Sequence, residues 1–146
     1  MAQPVPQTFE NHTRLVPAYH IVAFPLLAIN FFYTLYQVVT SFSWGGLVAF
    51  GTAVALIAFF FVARVMALTV QDRVIRLEER LRMRELLPAD LQARIGDFSV
   101  KQLVALRFAG DGELPALARK VLDEKIEDQK AIKRLITNWR GDHLRA

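Results

Sequence analysis

The chain contains no cysteine, which excludes disulfides, thiolate-ligated zinc and thiol catalysis. A second absence is larger. Between Leu15 and Ala63 there is not one Asp, Glu, Lys or Arg, although 22% of the 146 residues are charged. A third concerns helix breakers: no Pro or Gly lies between Thr52 and Leu87. Signatures of chemistry are missing too. There is no Gly-rich phosphate loop, no Ser/His/Asp framing and no carboxylate pair in a plausible pocket. The chain is therefore not read as an enzyme, and no cofactor is assigned to it. Asp111, Glu113 and Asp142 read as turn and cap residues.

What is present sorts by position. The uncharged stretch is too long for one membrane span and suits two, each needing about 20 apolar residues. The first runs from about His20 to Thr40, "HIVAFPLLAINFFYTLYQVVT", with Pro17 suited to a first helical turn and Pro25 expected to bend the helix. The second runs from about Gly46 to Leu68. "SFSWG" joins them as a tight hairpin, with Trp44 suited to a lipid–water interface. The first sixteen residues carry two prolines, one Arg and no basic cluster, so the first span is read as retained rather than cleaved.

Positive charge sets the expected orientation. Residues 64–84 carry six arginines against three acids, residues 1–20 carry one Arg and one Glu, and the hairpin loop carries no charge. Both termini should then face the cytoplasm. Arg64 lies seventeen residues beyond Leu47, about 26 Å of helix, and is expected to snorkel to the headgroups. With nothing to stop it, the second helix should continue as a stalk over 71–87. The expected layout is all-α: a tail over 1–16, a two-span hairpin over 17–70, that stalk, and a helical domain over 88–146.

Along the stalk, Ala63, Ala67, Val70, Val74, Leu77 and Leu81 repeat at the alternating spacing of a heptad seam. In a parallel dimer, Arg73 beside this seam would meet Glu78 of a second copy. The favoured reading, however, is that the same stripe packs on the chain's own C-terminal helices, with self-pairing second. Those helices are well punctuated. Pro88 starts a short one ending near Gly96, Ser99 and Gln102 form a capping box, and Pro115 opens another helix after "AGDG". Asp128 precedes a last helix carrying Ile132, Leu135, Ile136 and Trp139. No segment alternates like a strand.

Candidate contact residues follow from the same reasoning. Asn30, Tyr33, Thr34, Gln37 and Ser41 share about a third of the first span's circumference. That polar face reads as a helix–helix seam or, alternatively, a ligand or transport path. Gly45, Ala49 and Ala53 supply small residues on the second span, and Gly51 with Ala55 a second such side. Arg73, Arg76, Arg80 and Arg84 with Arg64 suit anionic headgroups. Trp139 is either core or a docking point. His20 is the one candidate axial ligand, since His12, His20 and His143 have no metal-site spacing. Nucleic acid is not expected, because residues 85–146 balance eleven basic against ten acidic side chains. The expected partners are a lipid bilayer and either further copies of the chain or another membrane protein.

At "FENHTRLVPAYH", "RVIRLEERLRM", "LVALRFAGDGELPALARK" and "IKRLITNWRGDHLR" the chain resembles a family of short bacterial membrane proteins of unknown function. The resemblance covers nearly the whole chain. It implies a bacterial inner-membrane origin, two spans and a charged helical C-terminal region. No reaction, ligand or catalytic residue comes with it, so no site residue is carried over.

Overall fold

The computed structural model describes residues 7–11 and 15–142; His12 and His143 lie outside them. Among the described residues every regular element is helical: α1 (Phe24–Thr40), α2 (Trp44–Leu86), α3 (Ala89–Gln92), α4 (Val100–Leu106), α5 (Leu114–Asp123) and α6 (Gln129–Leu135). A wide π turn, Ala18–Ala23, leads into α1, and a 3-10 turn, Ile95–Asp97, follows α3. The chain divides into two compact units, 13–67 and 1–12 with 68–146.

In the first unit, two helical stretches, Ala18–Thr40 and the α2 helix, are long and apolar enough to cross a membrane. Only 6% of the most apolar window of each is buried, which is unlike a core helix of a water-soluble protein. Pro25 lies within the helical stretch Ala18–Thr40, in the first turn of α1 directly after the π turn. Its ring would strike the carbonyl four residues back in α geometry, and the preceding π turn opens the backbone where that clash would occur. Tyr19 stacks on Phe60 at 3.9 Å between ring centroids and donates its hydroxyl to the Phe60 carbonyl. Phe31 meets Phe50, and among the described residues the buried side chains of this unit are Thr34 and Ala53. Ser43 starts α2, its Oγ accepting the Gly46 N–H at 3.0 Å.

The second unit is built around the C-terminal end of α2. Met83 and Leu87 enter a core with Leu91, Ile95, Phe98, Leu103, Leu106, Phe108, Leu114, Val121 and Ile132. Local signals position each helix. Ser99 and Gln102 close a reciprocal capping box on α4, Pro115 sits in the first turn of α5, and Asp128 Oδ2 accepts the Ala131 N–H to cap α6. The end of α5 is a Schellman motif: Ile126 N–H bonds the Val121 carbonyl, Lys125 N–H the Leu122 carbonyl, and Lys125 takes φ 50°.

The last helix is shorter than its apolar spacing suggests. α6 stops at Leu135, and Trp139 lies beyond it in extended chain paired with Ala109. Glu113 causes this. Its carboxylate accepts from the Thr137 N–H and hydroxyl and from the Asn138 and Gly110 N–H groups, drawing the chain out of helical geometry. Trp139 lands half-buried against Phe108, 5.2 Å between ring centroids. Residues 7–11 belong to the same unit. Gln7 and Asp142 exchange two hydrogen bonds, and Arg134 lies over the Phe9 ring.

Candidate interaction face on the second helix

The last four turns of α2 carry two opposed faces. At 100° per residue, Ile75, Glu79, Arg82, Met83 and Leu86 cluster on one side, and Val70, Val74, Leu77 and Leu81 lie about half a turn around. The first face is buried in its unit, with Ile75 at 5%, Glu79 at 5% and Met83 at 0% exposure. The second is open: Val70, Val74, Leu77 and Leu81 are 61, 50, 62 and 51% exposed. The favoured expectation, that this stripe packs on the chain's own C-terminal helices, does not hold, because all four side chains are at least half exposed. Those helices are gathered on the opposite face.

Arg82 fixes which face is covered. Its guanidinium bonds Asp111 Oδ1 through Nε at 2.9 Å and through a terminal nitrogen at 2.7 Å, the Ala109 carbonyl at 2.6 Å, and Glu79 Oε2 at 3.1 Å. One side chain therefore joins α2 to the loop before α5. Burial pushes the Glu79 carboxyl above its ordinary pKa, and Arg82 offsets only part of that. The Asp111 carboxyl is held low by its bond to Arg82. Beside this cluster lies a shallow cavity of about 690 Å³, lined among others by Glu78, Leu81, Glu85, Arg107 and Arg140. Arg107 is buried and reaches Asp142 at 3.1 Å.

The remaining sequence candidates distribute as follows. Arg73, Arg76 and Arg84 are exposed, and Arg80 is half-buried; the four share about a quarter of the helix circumference. The Arg64 guanidinium lies over the Tyr19 ring, 5.6 Å from its centroid. Tyr33, Gln37, Gly45 and Ala49 come together with Tyr36, Thr40, Ser41, Ser43 and Gly46 around a cavity of about 490 Å³ at the α1–α2 connection. Asn30 does not line it. Gln37 donates to the Tyr33 hydroxyl, and Thr34 and Thr40 donate to carbonyls of their own helix. His20 is half-buried with Nδ1 3.1 Å from the Val16 carbonyl. Among the described residues, no group of three or more His, Asp or Glu side chains is placed to hold a metal ion.

Sequence reasoning singled out the stripe but expected the chain's own helices to cover it, and it missed Arg82 and Glu79. The available signal was faint: two charged residues interrupting an Ile75–Met83 apolar face, with an unclaimed Asp111 in a distant turn.

Fold and site together define an all-helical protein with two helices long and apolar enough for a membrane and a helical unit folded about the end of the second. The chain matches the family of unknown function DUF6526 over residues 1–146 and belongs to it. Searches of curated proteins and of solved structures gave no match.

Proposed function

We propose that the chain is a bacterial inner-membrane protein with two spans and both termini in the cytoplasm, a scaffold or accessory subunit that docks a helix on the open face of α2. The observation that carries this reading is the half-exposed row Val70, Val74, Leu77 and Leu81, opposite the face its own domain covers. A contiguous apolar row on a water-exposed helix is a typical contact surface. Arg73, Arg76 and Arg84 beside it suit anionic headgroups, at about 1 kcal/mol per basic residue near the surface. The Gln7–Asp142 pairing supports placing both ends of the chain on one side, because segments hydrogen-bonded to each other share a side of any membrane; the arginines of 64–84 favour the cytoplasmic side. The polar side chains at the α1–α2 cavity bond within their own helix, which favours packing there over a ligand or transport path.

The cysteine-free chain makes both parts testable. A thiol at Ser41→Cys should react with a membrane-impermeant maleimide in intact cells, and one at Gly112→Cys only after permeabilisation. The reverse pattern sinks the orientation. Val74→Asp with Leu77→Asp should shrink the native complex on a blue-native gel while chain level holds. An unchanged complex sinks the docking role.

A further inference from the structure

We infer that the occupant of the open α2 face is a second copy of this chain, aligned in parallel and in register; this rests on the docking reading above. The four open residues fall at successive core positions of a heptad, with Val70 and Leu77 at d and Val74 and Leu81 at a. That register puts Arg73 and Arg80 at g, and Glu78 and Glu85 at e. In a parallel pair, each g residue faces the e residue five positions later on the partner. Arg73 then meets Glu78 of the second copy and Arg80 meets Glu85, and two-fold symmetry repeats both pairs. An antiparallel pair would instead set Arg73 against Arg80 and Glu78 against Glu85.

The monomer leaves these charges available. Among the described residues, none of the four makes an ion pair within the chain, and Arg80 Nε is buried without a hydrogen-bond partner. Ile75, Glu79, Arg82, Met83 and Leu86, which face the chain's own domain, occupy the b, c and f positions on the far side, while Glu78, Leu81 and Glu85 border the open cavity whose other wall carries Arg107 and Arg140. Arg84 falls at the next d position and ends the seam. Two heptads are short for a coiled coil in water. Confinement of both copies to one bilayer in one orientation raises their effective concentration and compensates.

Single cysteines in the full chain test this, oxidised in native membranes. Disulfide-linked dimer should form severalfold faster at Val74→Cys and Leu77→Cys than at the exposed c-position control Arg76→Cys. Arg73→Glu should slow linkage at Leu77→Cys, and Glu78→Arg added to it should restore the rate. Equal linkage at all three sites, or failure of that restoration, overturns the inference. If Leu77→Cys links only to a different protein, self-pairing falls while the docking reading survives. If neither position forms dimer in a chain present at normal level, self-pairing falls, and the blue-native test of Val74→Asp with Leu77→Asp decides the docking reading.

Discussion

Arg82→Ala is expected to unlatch the C-terminal unit from α2. The substitution removes four hydrogen bonds, but its main effect is on what remains. Glu79, 5% exposed, loses the cation that partly offsets its burial. Breaking a buried ion pair typically costs about 3–5 kcal/mol. A second route gives a similar figure: a carboxylate that cannot stay charged takes up a proton, and at pH 7, from an ordinary value near 4.3, that costs about 3.7 kcal/mol. Losing the bond to the buried Ala109 carbonyl adds about 1–3 kcal/mol at most. Asp111 is solvated and adds little. A loss of this size is a large part of the about 5–15 kcal/mol that holds a domain folded. The assay is urea unfolding of the full chain in nanodiscs, in a Trp44→Phe background where Trp139 fluorescence reports on this unit alone. Arg140 and Arg107 still act on Glu79 from further away, but adding Glu79→Gln should recover most of the loss, because the buried charge that lost its nearest cation is gone. The sign of the pH dependence follows from burial: a carboxyl whose folded pKa is raised favours folding below its unfolded value and loses that advantage as pH rises. The Arg82→Ala deficit should therefore be largest at pH 8 and shrink toward pH 5. A loss under about 1 kcal/mol, well below the range for a buried pair, or no recovery on adding Glu79→Gln, would refute the reasoning.

Gly110→Ala would place a Cβ 3.1 Å from the Asn138 carbonyl oxygen and 2.7 Å from its amide nitrogen; overpacking there should cost about 1–3 kcal/mol in the same urea assay. Lys125→Gly should raise stability by about 1 kcal/mol, because a lysine at φ 50° carries a left-handed strain that glycine does not. For Glu113, burial works against the charge, but bonds from Thr137, Asn138 and Gly110 outweigh it and hold the pKa below its ordinary value. Its contribution is present above the unfolded pKa and lost as pH falls through the folded one. Glu113→Gln should thus lower stability at pH 7 and flatten the acid limb of a stability–pH profile; an unchanged acid limb would show that the clasp carries no charge-dependent energy.

Much of the fold was legible because its signals are local. The charge-free run 15–63, the unbroken stretch 52–87, the Ser99–Gln102 box, Pro115 and Asp128 each act within a few residues, and the helices form where they direct. The face that α2 buries was not legible. The covered face carries Glu79 and Arg82 and looks more polar than Val70–Leu81, and it becomes a buried face only when Arg82 finds Asp111, 29 residues away. The end of α6 was not legible for the same reason. The apolar spacing up to Trp139 continues α6, but Glu113, 24 residues upstream of Thr137, bonds the chain beyond Ile136 into an extended path. The π turn before Pro25 was not legible, because spacing alone does not reveal one.

The central claim is that the open face of α2 pairs in parallel through its flanking charges. The most direct test uses two differently tagged full-length chains expressed together. One carries Arg73→Glu and Arg80→Glu, and the other Glu78→Arg and Glu85→Arg. Each then repels its own kind and complements the other. Native mass spectrometry after gentle extraction should find mixed pairs well in excess of like pairs. A random mixture of like and mixed pairs, or single chains alone, would contradict the account.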